Sequence, residues 1–176
     1  GQVGHGSTAQ QTTPVQIGAD TNWQSVECGQ NHTLGIRADG TLWAWGSNTS
    51  GQLGNGTLAQ QLSPLKSGTA TDWSQVSGGT VHSVGIRTDG TLSPVQVGTA
   101  THWVKVVATR NSTAALAADG SVWATGENHS GHLGNGDVAN VTTLTKVAEG
   151  GFVDVVLGVQ NLVAVRADGS IWTSGT

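Results

Sequence analysis

Apolar and polar residues alternate over short stretches of this chain, and each stretch ends at a glycine or a polar turn. In Trp23-Gln-Ser-Val-Glu-Cys28 the alternation puts Val26 and Cys28 on one face. In His32-Thr-Leu-Gly-Ile-Arg37 it does the same for Leu34 and Ile36. A period of two over so few residues predicts half-buried β-strands. Thr41–Trp45 is the returning strand after Asp39-Gly40, a pair suited to a two-residue hairpin turn because glycine takes positive φ at little cost. Pro14–Ile17 predicts a further short strand, with proline at its start where a missing N–H costs least. No segment sustains a helical period.

The pattern then recurs. Asp-Gly pairs stand at Asp39-Gly40, Asp89-Gly90, Asp119-Gly120 and Asp168-Gly169, at intervals of 50, 30 and 49 residues. Trp23, Trp73 and Trp103 share one slot, taken by Phe152 in the last copy, and Trp43, Trp123 and Trp172 share a second. A glycine-rich run returns at Gly1–Gly6, Gly51–Gly56 and Gly131–Gly136. The units are approximately 1–50, 51–92, 93–130 and 131–176, the second of them truncated. Four short strands per unit at this period predict an all-β chain, a β-propeller of four-stranded antiparallel blades. On this reading the tryptophans pack between blades, each burying about 150–250 Å². Gly40, Gly90, Gly120 and Gly169 serve the turns.

The truncation has sharp edges. Thr91-Leu92 matches Thr41-Leu42, and Ser93-Pro94 matches Ser63-Pro64, so the counterpart of Trp43 through Leu62 is absent. Either the blade is defective, with an unpaired strand edge, or the sequence is incomplete at this point. The chain contains no methionine and begins and ends inside the pattern, which predicts a fragment of something longer. Repeat arrays need polar caps, and none is visible, so closure by more chain or by self-association is expected.

Composition narrows the function. Charged residues make up 10% and the net charge is −4, which argues against the basic stripe of a nucleic-acid groove. No apolar run reaches the roughly 18 residues that span a membrane. Cys28 is the only cysteine, so there is no intrachain disulfide and no cysteine-based zinc site. Its counterparts Gly78, Ala108 and Leu157 predict a small buried position.

The tempting chemistry has architectural readings. His32 and His82 share a slot filled by Ser112 and Asn161 in the other units, which points to hydrogen bonding with a neighbouring turn. His129 and His132, with Glu127 nearby, are the best metal candidate, but Thr49 and Gln52 align with the two histidines and loop polarity explains all three residues. Arg37, Arg87 and Arg166 precede the Asp-Gly turns as solvated strand ends or partners of the turn aspartates. No nucleophile elbow, phosphate loop or zinc-protease motif occurs. No catalytic residue, cofactor or metal site is therefore assigned, and the chain is read as a non-enzyme.

The run Gly29-Gln-Asn-His-Thr33, Arg37-Ala-Asp-Gly40, Leu42-Trp-Ala-Trp-Gly46, Asn48 and Gly51-Gln-Leu-Gly-Asn-Gly56 resembles the regulator of chromosome condensation repeat. The resemblance extends along essentially the whole chain and is strongest in residues 1–92. It implies a place in a seven-bladed ring. The regular 50-residue form is similar to arrays in bacterial exported or surface proteins, which implies an extracellular or cell-surface location. The expected function is a scaffold that binds a protein partner through its loop surface, with specificity in Thr57–Leu62 and Asp137–Val141. The alternatives are a carbohydrate- or cell-surface-binding module, marked by exposed tryptophan on one rim, and a nucleotide-exchange factor for a small GTPase.

Overall fold

A computed structural model describes residues 1–93 and 102–176. Its strands form four antiparallel sheets. Blade 1 comprises β1 (Trp23–Cys28), β2 (His32–Arg37), β3 (Leu42–Gly46) and β4 (Gln61–Lys66), and blade 2 comprises β5 (Trp73–Gly78), β6 (Ser83–Arg87) and β7 (Leu92–Ser93). Blade 3 holds β8 (Trp103–Thr109), β9 (Ser112–Ala117), β10 (Val122–Gly126) and β11 (Val141–Ala148). Blade 4 holds β12 (Phe152–Leu157), β13 (Asn161–Arg166) and β14 (Ile171–Gly175). There is no helix among the described residues, and so none long and apolar enough to cross a membrane.

The strand around Pro64 closes a blade rather than opening one. β4 pairs with β3 through Trp43↔Lys66 and Ala44↔Leu65, on the far side of the glycine-rich connector. A strand carrying proline is tolerated there because it is an edge strand. Pro14–Ile17, its counterpart, forms no strand. The tryptophan strand against which it would pair has no counterpart among residues 1–13. The expected strand at Pro94–Val97 lies outside the described residues.

The Asp-Gly turns differ from the expected two-residue form. The Gly40 N–H donates to the Arg37 carbonyl and the Arg37 N–H to the Thr41 carbonyl, both at about 3 Å, so Ala38, Asp39 and Gly40 form a three-residue loop. Gly40 sits at φ 73° while Asp39 stays at negative φ, the arrangement of a turn followed by a left-handed residue. The Asp39 carboxylate accepts from the Thr41 N–H at 3.0 Å and from its hydroxyl. Gly90, Gly120 and Gly169 share the conformation, with φ between 78° and 83°.

Three hydrophobic clusters lie between successive sheets. Leu34, Ile36, Leu42 and Ala44 of blade 1 meet Val76 and Trp73 of blade 2. Ile86 and Leu92 meet Trp103 and Val106. Leu116, Val122 and Ala124 meet Phe152, Val155 and Leu162. Each blade therefore has a leading face, turned to its predecessor, and a trailing face, turned to its successor. The array ends show what this packing covers. Val76 is 3% exposed, but its counterpart Val26, with no blade before it, is 59% exposed. Leu42 is 8% exposed, but its counterpart Ile171 in the last blade is 72% exposed. Cys28 is exposed for the same reason as Val26, which corrects the expectation of a buried position.

The tryptophans also pair with one another. Their edge-to-face pairs form within blades, between the first and third strands and over the middle one: Trp23 with Trp43 and Trp45, Trp103 with Trp123, and Phe152 with Trp172, at 5.7–6.2 Å between centroids. Trp73, Trp103 and Phe152 also lie in the clusters shared with the preceding blade.

Candidate interaction surface

Antiparallel topology sends the first hairpin turn of each blade and the glycine-rich connector to one end of the sheets, and the Asp-Gly turn to the other. Each end is knitted differently. At the Asp-Gly end, the Gly40, Gly90 and Gly120 carbonyls accept from the first N–H of the following blade, on Trp73, Trp103 and Phe152, at 3.0–3.2 Å. A Cβ at Gly40 would stand 2.2 Å from the Thr71 carbonyl oxygen, so the position is closed to larger residues.

The aspartates of these turns are occupied by them. Hydrogen bonds from Thr41, Thr91, Ser121 and Ser170 hold the Asp39, Asp89, Asp119 and Asp168 carboxyls below their ordinary range. The neighbouring arginines take other partners. Arg37 pairs with Asp20 and Arg87 with Asp72, in the segments leading into β1 and β5, not with the turn aspartates. The Arg37 guanidinium lies 3.6 Å from the Trp43 ring centroid, and that of Arg166 lies 4.6 Å from Trp172, as cation–π contacts require.

At the connector end, a buried asparagine organises each glycine-rich loop. Asn48 donates to the Thr57 and Ala59 carbonyls at 2.8 and 3.2 Å and accepts from the Leu53 N–H at 3.0 Å. Asn128 makes the matching bonds to the Asp137 carbonyl and the Leu133 N–H. These bonds turn Leu53 and Leu133 inward, where both are fully buried between blades. Sequence reading gave the two asparagines no such role, although they occupy one slot of the repeat.

The histidines of the shared slot reach across the blade interface. His32 Nε2 lies 2.9 Å from Ser83 Oγ, and Ser83 Oγ donates to the Gln52 carbonyl at 2.7 Å. The hydroxyl has a single proton, so His32 must be the donor to it. His82 Nε2 lies 3.1 Å from Thr113 Oγ1. The partners are thus strands of the next blade rather than a turn. Burial lowers both imidazole pKa values, with the neighbouring His82 charge adding to the effect at His32. His132 is buried against Ser112 while His129 faces solvent, so the two do not converge. No group of three potential ligands occurs among the described residues.

What remains free at this end is the outer part of the connectors. Leu58 and Val138, equivalent residues, are 67% and 60% exposed at the tips of loops pinned by Asn48 and Asn128. Between them lies blade 2, whose connector is the missing one. A cleft of about 410 Å³ opens beside it, lined in part by Leu53, Trp73, Val76, Val81 and Ser83.

Repeated antiparallel blades joined face to face define a β-propeller. Its repeat is a known one: the regulator of chromosome condensation (RCC1) repeat matches residues 1–36 and 39–86, and a second form of the same repeat matches residues 23–52. The chain belongs to the RCC1 repeat family. Solved structures show the same fold. Human WBSCR16 is 22% identical with a TM-score of 0.80, over 94% of this chain and 51% of its own. A chain in the structure of Kap60 bound to yeast RCC1 (Prp20) is 19% identical with a TM-score of 0.80, over 94% of this chain and 46% of its own. The CRINKLY WD40 ectodomain of the Arabidopsis thaliana receptor kinase ACR4 is 14% identical with a TM-score of 0.55, over 89% and 51%. The chain spans about half the length of these structures.

Proposed function

We propose that this chain is a non-enzymatic propeller segment that binds a protein partner through the connector end, and that further blades cover its two end faces. The carrying observation is the pair of equivalent apolar tips, Leu58 and Val138, held out on loops whose bases are rigidly bonded. Exposed apolar side chains on a rigid platform can enter a partner's pockets without a large ordering cost. Export to a bacterial surface remains part of this reading, on the strength of the regular 50-residue repeat. The carbohydrate-binding alternative has less support, because the exposed tryptophan, Trp172, belongs to the terminal blade and bonds beside its Asp-Gly turn.

The end faces are complementary to one another, since Val26 and Ile171 occupy the two sides of the contact made inside the array. A further blade of the same type, from continuing chain or a second copy, would bury both. Two measurements test the proposal. Affinity capture with the chain as bait should recover a partner that is lost with Leu58→Asp and Val138→Asp. A stable, monodisperse species of 17.8 kDa across the accessible concentration range would overturn the closure of the end faces.

A further inference from the structure

One arginine of the repeat stands without the partner that its equivalents have. Arg37, Arg87 and Arg166 share a slot, which Ala117 fills in blade 3. Arg37 is held by the Asp20 carboxylate. Arg87 grips Asp72 with two nitrogens: Nε donates to one carboxylate oxygen at 2.9 Å, and Nη2 lies 2.7 Å from the other. Both aspartates belong to the segment leading into the first strand of their blade. In blade 4 that segment is Glu149-Gly150-Gly151. The Glu149 side chain is 85% exposed and pairs with Lys146 at 3.4 Å. No carboxylate of the described residues lies within 4 Å of the Arg166 guanidinium, and residues 94–101 include no acidic side chain. The turn carboxylate of Asp168 accepts from the Ser170 N–H and hydroxyl, as Asp39 does from Thr41 beside Arg37, so it does not stand in for Asp20. Arg166 Nε is buried without a hydrogen-bond partner. The guanidinium lies 4.8 Å from the Phe152 ring centroid and 4.6 Å from that of Trp172.

Arg166 lines a cleft of about 330 Å³ between blades 3 and 4. Leu133 and Val147 belong to its blade 3 wall, and Phe152, Leu162, Trp172 and Ser174 to its blade 4 wall. A change within the repeat opens it. In blade 1, Trp45 lies so close to the connector that a Cβ at Gly4 would stand 2.6 Å from the indole nitrogen. In blade 4 the Trp45 slot is Ser174, and the equivalent connector glycine, Gly134, meets only this small side chain. A hydroxymethyl group in place of an indole accounts for the room beside Leu133 and Leu162.

We propose that this cleft binds a small aryl-alkyl carboxylic acid, whose carboxylate pairs with Arg166 as Asp20 pairs with Arg37 and whose ring enters beside Leu133 and Leu162. The two halves of the site dictate this chemistry. A guanidinium selects a carboxylate through charge-assisted hydrogen bonds, and blades 1 and 2 show that the slot is built to hold one. The remaining walls are apolar and belong to two facing sheets, which suits a flat ring. Apolar walls with a few placed polar groups and a volume of roughly 300–1,000 Å³ are usual for small-ligand sites. The site is independent of the Leu58 and Val138 tips and of blade 2.

The probe is 4-phenylbutyrate, titrated into the full chain by calorimetry. Saturable binding is expected, with shifts of the Leu133 and Leu162 methyl resonances. The neutral 4-phenylbutyramide should bind about tenfold or more weakly, as should the acid to Arg166→Gln, because each loses a charge-assisted pair. The amide comparison uses the unaltered protein, so it holds even where the variant is destabilised. Ser174→Trp, which restores the blade 1 residue, should abolish binding without lowering the urea midpoint. Glu149→Gln, at the rim of the cleft, should bind at least as tightly, since a competing carboxylate is removed. No saturation at millimolar acid overturns the proposal, and so does equal binding of acid and amide. Indifference to both Arg166→Gln and Ser174→Trp, or methyl shifts confined to other residues, does the same. Weaker binding by Glu149→Gln would mean that the cleft selects cations, and would also overturn it.

Discussion

Blades 1 and 2 are built from nearly the same residues up to Leu42 and Leu92, and they diverge where one chain continues and the other skips. In blade 1, β3 runs on through Trp45, the connector folds back around Asn48, and β4 seals the edge. His32, Thr33 and Leu34 are buried as a result, whereas His82, Ser83 and Val84 are half-exposed. The first three strand positions of a blade are thus insufficient to bury its middle strand. The connector and the fourth strand complete the blade and also wall the interface with a neighbour.

The largest effect should come from erasing the difference. Inserting the sequence of residues 43–62 between Leu92 and Ser93 supplies the absent strand, an asparagine staple and a buried leucine. Burial of one indole and one leucine should raise unfolding free energy by about 3 kcal/mol or more, measured by urea denaturation.

Removing the staple from the intact blade attacks the comparison from the other side. Asn48→Ala should cost about 2–3 kcal/mol, because it leaves buried connector groups without partners. The apolar cluster around Leu53 should loosen, seen as faster hydrogen exchange at the Leu53 amide.

A smaller effect is expected from pH. Burial depresses the pKa of both His32 and His82, so the unfolded chain takes up protons first on acidification. Stability should be level above about pH 6.5 and fall as pH drops below the usual imidazole value. The slope should shrink in His32→Gln and His82→Gln, with the urea midpoint followed between neutral and mildly acidic pH. An unchanged slope in both would sink the assignment.

The smallest effect lies in blade 3. Arg110, in the tight turn between β8 and β9, has φ 35°, the one positive φ outside glycine among the described residues. Arg110→Gly should raise stability by up to about 1 kcal/mol, read from the thermal midpoint.

Much of this fold is legible in the sequence, and the failures have physical causes. Alternation around Leu34 and Ile36 marks strands because a sheet face imposes a period of two. Alternation does not say which neighbour a strand joins, and so the strand at Ser63-Pro64 is naturally read as opening a unit when it closes one. The Asp39-Gly40 pair locates a turn, but its three-residue form depends on Arg37 and Thr41 pairing outside it. Cys28 follows the pattern of a buried slot and is exposed only because no blade stands before it. The role of Asn48 depends on bonds to residues five to eleven positions away, which no short periodicity reports.

The carbonyl bonds from Gly40, Gly90 and Gly120 to the next blade make the array a row of coupled dominoes. Each blade's stability is set by itself and by the neighbours it touches. A weak member then divides the row into two cooperative blocks that open at different free energies. Blade 2 is that member. Fraying should begin there and travel outward, so the middle of this molecule, rather than its ends, is where a protease would first find extended chain.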